Sequence, residues 1–156
     1  MIWLPLLTAV IAAAAALIGY WLTYVSKRSE SKAEIYAKAL AAVEAYKQLP
    51  YRICRRAEST PDVRGSLGEA IGDVQQDLAF YRLFLRLDSE AVGLAFDALV
   101  DKVYASGGEF RAQAWRMPPA PEDKDMNISA AFDYKDAFEQ RACLLAMWKE
   151  LRKRLG

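Results

Sequence analysis

The sequence predicts an all-α protein, with an N-terminal transmembrane helix followed by an antiparallel four-helix bundle. The first observation is that residues 1–25 of the 156-residue chain include no charged side chain. The second is a set of four later segments whose apolar residues recur at spacings of three and four, the period of an α-helix. These segments have similar lengths and mostly short connections, which favours an up-and-down bundle.

The N-terminal apolar run predicts a transmembrane helix over residues 1–26. A bilayer core of about 30 Å needs roughly 20 apolar helical residues, and the run exceeds that length. Aromatic residues stand at both ends, with Trp3 at one and Tyr20, Trp21 and Tyr24 at the other, as in the interfacial belts of membrane helices. A cleaved signal peptide, the main alternative, would have a basic start and a shorter apolar core.

The residues that flank this run predict its orientation. Lys27, Arg28 and Lys32 follow it closely, and basic residues beside a span mark the cytoplasmic side of the membrane. The bundle, residues 27–156, is therefore expected in the cytoplasm, and the N-terminus is expected outside. The same three basic residues are expected to contact lipid headgroups.

Small residues inside the predicted span leave open its self-association. Ala12 with Ala16, and Ala15 with Gly19, are four residues apart, a spacing that lets two helices approach closely. The other interpretation is the ordinary alanine content of such helices. The expected partners are thus the lipid bilayer and either a protein of unknown identity or a second copy of the chain.

The predicted bundle helices cover about residues 27–57, 61–87, 89–115 and 128–155, and the transmembrane helix is expected to continue into the first of them. The residues expected to face the core in the first three helices are Ile35, Ala39, Ala42, Tyr46, Leu49, Ile53, Leu67, Ile71, Val74, Leu78, Tyr81, Leu85, Val92, Phe96, Leu99, Val103 and Phe110. In the fourth helix, the expected core stripe is Tyr134, Phe138, Leu145 and Trp148.

Helix caps and breaks separate these segments. Thr60 followed by Pro61 is typical of a helix start, and Ser89 lies in a tight break with capping residues. The proline-rich stretch 117–121 predicts a loop, after which Asn127 or Ser129 is expected to cap the last helix.

Two features are expected to disturb the helices. Pro50 removes a backbone donor and predicts a kink or fraying near the far end of the first bundle helix. Gly107 and Gly108 predict a kink or an end in the third.

Charge distribution suggests a second contact with the membrane. In an up-and-down bundle the fourth helix returns toward the bilayer, and its last residues are strongly basic. These residues are expected to join the basic flank of the span at the lipid surface, where each contributes about 1 kcal/mol. The alternative is that they complement the C-terminal end of a helix. The residues are Lys149, Arg152, Lys153 and Arg154.

A second basic cluster lies at the opposite end of the predicted bundle. Arg52, Arg55 and Arg56 surround Cys54, and guanidinium groups bind phosphate or carboxylate well. A phosphate or an acidic partner is one interpretation. The other is that the cluster caps the helix end and pairs with the acidic loop 122–125.

The composition excludes several kinds of chemistry. The chain has no histidine, which excludes Ser-His-Asp and Cys-His catalysis and any His-ligated metal. Its two cysteines do not form a CxxC motif, and Cys143 is expected in the core. A formal net charge of +1 gives no general attraction to nucleic acid. No cofactor, metal or catalytic residue is predicted.

Two carboxylate pairs have the helical spacing of possible metal ligands. Asp73 with Asp77, and Asp97 with Asp101, each stand one helical turn apart. Such pairs can bind a divalent cation, but a solvated helix face is the more common reason for the spacing.

The architecture resembles that of uncharacterised small bacterial or phage-encoded single-span membrane proteins with a cytosolic helical bundle. The resemblance covers the lone N-terminal span, its basic flank and the sequence Ala-Glu-Ile-Tyr-Ala-Lys-Ala-Leu at residues 33–40. It implies a bacterial inner-membrane location and supplies no catalytic residues.

These observations predict a membrane-anchored helical interaction module, which docks a partner or self-associates without catalysis. The alternative is a membrane-perturbing effector of the phage exclusion, lysis or defence type, suggested by the apolar span and its basic flanks. Against it, the span has no charged residue that could line a pore. A third hypothesis, an enzyme of unfamiliar type, lacks the usual acid-base residues.

Overall fold

The computed structural model describes residues 3–153, with side chains before residue 30 described only at positions 19, 23 and 27. This part of the chain is all-α, as predicted, and contains no strand. Its helices are α1 (Trp3–Cys54), α2 (Pro61–Asp88), α3 (Glu90–Arg116) and α4 (Ala137–Arg152), with a short 3-10 helix at Asp123–Met126 before α4.

The four helices form a bundle in which α3 is central. Helix α3 packs against α1, α2 and α4, whereas α1 and α4 touch little and α2 does not touch α4. At one end, the Ser89 hydroxyl between α2 and α3 lies 3.3 Å from Glu150 of α4. At the other end, the Ala120 amide donates to the Arg56 carbonyl at 2.8 Å. Successive helices therefore run in opposite directions.

The first helix is continuous from Trp3 to Cys54, so the prediction of an unbroken connection into the bundle is confirmed. In the described part of the chain, no helix is long and apolar enough to cross a membrane. The transmembrane prediction for residues 1–26 is thus not supported by the structure. The side chains of Trp3, Tyr20, Trp21 and Tyr24 lie outside the described residues.

The predicted helix starts of α2 and α3 are confirmed. The Thr60 side chain accepts a hydrogen bond from the Val63 amide, and Pro61 occupies the first helical position. The Ser89 side chain accepts from the Val92 amide in the same way. These caps satisfy amide groups that have no partner inside the helix, and they fix the two short connections of the bundle.

Helix α3 continues through Gly107 and Gly108 to Arg116, so a helix end at these glycines is wrong, and the alternative of a kink stays a prediction. The reason is a close helix contact. A Cβ atom added at Gly107 would lie 2.5 Å from the Tyr46 ring, whereas one added at Gly108 would meet nothing within 4 Å. Glycine at position 107 therefore lets the Tyr46 side chain of α1 pack directly on the α3 backbone. Pro50 likewise lies inside α1, which ends only at Cys54.

The fourth helix is much shorter than predicted. It begins at Ala137 rather than near residue 128, so Asn127 and Ser129 do not cap it; Asp136 occupies the cap position. The preceding segment is not helical, and its aromatic side chains fill the bundle instead. Phe132 contacts Tyr51 at 4.9 Å between ring centroids, and Tyr134 contacts Phe110 at the same distance. This segment covers the end of α1 and α3 that α4 does not reach.

The predicted core stripe of the fourth segment is wrong for the three residues that lie in α4, whereas Tyr134, which precedes the helix, is buried as expected. Phe138, Leu145 and Trp148 are exposed by 80%, 49% and 52%, while Cys143 and Met147 face the core. Two apolar stripes run along α4. The one with the smaller side chains, Cys143 and Met147, is buried where α4 packs on α3, and the one with Leu145 and Trp148 is exposed. In α1, α2 and α3, most predicted core residues are buried and the others are partly buried.

Candidate interaction surfaces

The end of the bundle where α4 terminates contains a network of ion pairs and hydrogen bonds. Lys32 lies 2.5 Å from Asp88, and the Tyr36 hydroxyl donates to the same carboxylate at 2.8 Å. Lys153 bonds Glu150 at 3.1 Å, and this bond, with a smaller contribution from the charge of Lys32, holds the pKa of Glu150 below its usual range. This end joins α1, the α2–α3 connection and α4.

The structure brings four of the predicted headgroup-binding residues to this same end, and Lys27 lies about 7.5 Å further along α1. The four are Lys32, Lys149, Arg152 and Lys153, and they differ in accessibility. Lys32 is largely covered and is engaged by Asp88, so it belongs to the fold. Lys149, Arg152 and Lys153 are exposed, as is Lys27. The side chain of Arg28 and all of Arg154 lie outside the described residues.

At the opposite end, Arg56 is a buried structural residue. Its side chain is 7% exposed and donates to the carbonyls of Ile53 at 2.8 Å and Met117 at 2.6 Å. The guanidinium also donates to Ser59 at 2.9 Å and lies 5.2 Å from the centroid of the Trp115 ring. Arg56 thus joins the C-terminal ends of α1 and α3, which confirms the capping interpretation for this residue.

The other two arginines of this cluster point to solvent. Arg52 and Arg55 are exposed. In the described part of the chain, neither of them forms the expected ion pair with the acidic loop. Glu122 of that loop pairs with Lys124 at 2.7 Å instead. The three arginines therefore do not converge on one phosphate site.

Beside them, Cys54 lies at a cavity of about 300 Å³ that the loop 117–129 helps to line. Its Sγ is 3.4 Å from the Met117 Sδ, and burial raises the pKa of its thiol. Cys143 is fully buried in the core, as expected, and burial raises its pKa to about 11. Both thiols are therefore poor nucleophiles at neutral pH.

Of the two carboxylate pairs with the spacing of metal ligands, the pair Asp97 and Asp101 forms ion pairs with arginines. Arg82 bonds Asp97 at 2.9 Å and Asp101 at 2.6 Å. In this way the pair holds α2 against α3. Asp73 and Asp77 are exposed on α2. The described residues contain no cluster of three possible metal ligands.

Helix α2 carries an exposed apolar stripe that the fold does not use. Phe80, Leu83 and Leu87 are spaced by three and four residues, so they share one face of the helix. Leu83 is 65% exposed and Leu87 79%, whereas Leu78 and Leu85 on the opposite face are buried. This surface is called the α2 face below.

Helix α4 carries a similar stripe, formed by Phe138, Leu145 and Trp148 and called the α4 face below. Leu145 also lines a groove of about 380 Å³ between α4 and the start of α3, where Ala91 lies. Arg152 stacks on the Trp148 ring at 4.6 Å from its centroid. The sequence contained the spacing of both stripes, but spacing does not distinguish a core face from an exposed one.

Comparison with known protein families, with curated proteins and with solved structures finds no match for the chain. Its function is therefore inferred from the chemistry of these surfaces.

Proposed function

We propose that the chain is a membrane-anchored helical interaction module, which binds another protein or a second copy of itself and does not catalyse a reaction. The observation that carries this proposal is the pair of exposed apolar stripes on α2 and α4. Each contains large side chains at helical spacing, and contiguous apolar surface of this kind marks interaction sites.

The exposed apolar residues do not result from incomplete packing of the core. Leu49, Phe96 and Leu99 are almost fully buried, and the buried polar groups of Arg56 are bonded. The bundle is thus complete without Leu83 or Trp148. Because burying one large apolar side chain contributes about 1.5–3 kcal/mol, several of them together can supply the central part of a protein interface.

The membrane half of the proposal rests on the sequence. Residues 1–25 have no charged side chain and exceed the length that a bilayer requires. The continuity of α1 supports the same idea, because a span at its start would pass without a break into the bundle. The positive flank favours the bundle in the cytoplasm of a bacterium.

The exposed basic residues at the end of α4 fit this arrangement. In the bundle, Lys149, Arg152 and Lys153 lie near the level of Lys32 in α1, about 7.5 Å along that helix from Lys27. This side of the bundle would be the one next to the bilayer. Attraction of these side chains to anionic headgroups would fix the distance and tilt of the bundle relative to the membrane. Arg52 and Arg55 lie at the far end and would not take part.

Fractionation after cross-linking tests both halves of the proposal. The full chain is expressed in bacteria, treated with an amine-reactive cross-linker in intact membranes, and washed at alkaline pH. We expect it to stay with the membranes and to appear in a cross-linked species larger than one chain. Recovery in the wash would contradict the anchor, and recovery as single chains only would contradict the interaction role. Collapse of the membrane potential on expression would favour the membrane-perturbing alternative.

A further inference from the structure

We infer that the partner of the α4 face is the α2 face of a second copy of the chain, with both copies side by side in the same orientation. This inference rests on the proposed function, because a shared membrane would hold two copies parallel and at one height. It deepens that function by naming the occupant of the exposed faces. Three observations carry it: matched height, opposite charge and the symmetry that the charges allow.

The two apolar stripes lie at the same height along the bundle. Ser89, next to Asp88, lies 3.3 Å from Glu150, which sets a common level for the ends of α2 and α4. Leu83 is five residues before Asp88, and Leu145 is five residues before Glu150. At about 1.5 Å per residue, both lie roughly 7.5 Å from that level. Two parallel copies would therefore place these leucines opposite each other.

The charges beside the stripes are opposite in sign. Asp73 and Asp77 are exposed near the α2 face, and Arg141 and Lys149 are exposed near the α4 face. None of these four side chains forms an ion pair within the described part of the chain. Arg82, the basic residue of α2 closest to the acidic pair, is engaged by α3. The α2 face is thus apolar and acidic, and the α4 face is apolar and basic.

The charged residues beside the two faces also lie at similar heights along the bundle. Asp77 is eleven residues before Asp88 and Arg141 is nine residues before Glu150, so their levels differ by about 3 Å. An aspartate and an arginine can bridge that difference. In parallel copies, the apolar contact at Leu83 and Leu145 would be flanked by this ion pair on the side away from the membrane.

The charges also favour the contact of α2 with α4 over a two-fold symmetric dimer through either helix alone. A two-fold dimer that packs α4 on α4 would place Arg141 and Lys149 against their own copies. A dimer through α2 would do the same with the aspartates, and like charges at an interface are unfavourable. Packing α2 on α4 joins unlike charges. Since that contact uses two different surfaces, it leaves one α2 face and one α4 face free and extends to further copies or closes as a ring.

Cysteine cross-linking in membranes tests this arrangement. Leu83→Cys and Leu145→Cys are made in separate full-length chains with different tags and co-expressed, and the membranes are oxidised mildly. We expect a disulfide-linked dimer that contains both tags, and much less disulfide-linked dimer of any kind when either variant is expressed alone. The double variant should give a ladder of oligomers. The unsubstituted chain, whose Cys54 and Cys143 are buried, is the control for background.

Register and charge provide further controls. Phe138→Cys lies about 10 Å along α4 from position 145 and should cross-link to Leu83→Cys much less. Arg141→Glu should reduce the dimer, and Asp77→Arg in the partner should restore it. All these positions are on the exposed side of their helices, so folding is expected to be unchanged.

Three outcomes would overturn the inference: no cross-link between the two variants, self-cross-linking of Leu145→Cys at the level of the mixed pair, or equal yield from Phe138→Cys. The proposed function would survive each of them if the chain stays in the membrane and is cross-linked by amine-reactive reagents to another protein. Loss of membrane retention would instead contradict the proposed function itself.

Discussion

Replacing Arg56 by leucine should lower the free energy of unfolding by about 3 kcal/mol, because hydrogen bonds to a charged group contribute about 1.5–3 kcal/mol. The substitution removes the side-chain donor of the partly buried Met117 carbonyl and leaves the Ile53 carbonyl with only the Arg56 backbone amide. It also removes the contact with Trp115. The measurement is thermal or urea unfolding of the full chain in a mild detergent, followed by circular dichroism.

Two variants control for this effect. Arg56→Lys keeps the charge but cannot reach several carbonyls at once, so an intermediate loss is expected. Arg55→Leu changes the exposed neighbour and should alter stability by no more than about 0.5 kcal/mol. Equal stability of the Arg55 and Arg56 variants would show that Arg56 does not join α1 to α3, and would restore it as a candidate ligand-binding residue.

Two adjacent glycines should respond to alanine in opposite directions. Gly107→Ala places a Cβ atom 2.5 Å from the buried Tyr46 ring, so the ring or the two helices must shift, and overpacking of this kind costs about 1–3 kcal/mol. Gly108→Ala meets nothing within 4 Å and should stabilise α3 by up to about 1 kcal/mol, since alanine favours helix more than glycine does. Unfolding of the two full-length variants in parallel measures the difference.

A second substitution locates the cause of the Gly107 effect. Tyr46→Leu in the Gly107→Ala background removes the ring that the new Cβ atom meets, so the two changes together should cost less than the sum of their separate effects. Additive losses, or equal effects of alanine at positions 107 and 108, would show that Tyr46 does not pack against Gly107.

The first three helices were predictable because local sequence specifies them. Their apolar residues follow one continuous period, and Thr60 and Ser89 mark the starts of α2 and α3 with side chains that bond the first turn. In each of these helices the longest apolar stripe is the one that is buried, so the core face could be predicted from the extent of the stripe. The second stripe of α2 is shorter and is exposed. The apolar run at residues 1–25 likewise predicts a helix. Whether that helix crosses a membrane depends on its insertion into a bilayer, which a helical structure alone does not show.

The fourth helix was not predictable in the same way. Its sequence contains two apolar stripes, one with Cys143 and Met147 and one with Leu145 and Trp148, and only contacts with α3 decide which is buried. Before it, Phe132, Tyr134 and Asp136 are buried and alternate with exposed residues. This period of two is typical of extended backbone, but five residues are too few to outweigh the helical pattern that follows them.

The sequence also did not predict which charged residues stabilise the fold and which are exposed to solvent. Arg56 is buried while Arg55 beside it is exposed, and Lys32 is held by Asp88, 56 positions further along the chain. Both roles arise where helix ends meet, and spacing along one helix carries no information about such contacts. For the same reason, the sequence did not predict that the α2 and α4 faces are exposed, because their exposure depends on how the helices pack.

The central claim is that the exposed apolar residues of α2 and α4 bind a protein and do not hold the fold. The most direct test uses a full-length chain in which Leu83, Leu145 and Trp148 are replaced by serine, with Met147→Ser as a buried control on the same helix. Cross-linked assembly in membranes and the unfolding midpoint are measured on each. We predict that the triple variant loses assembly and keeps its midpoint, while Met147→Ser lowers the midpoint. A triple variant that assembles normally, or that unfolds as early as Met147→Ser, would contradict the claim.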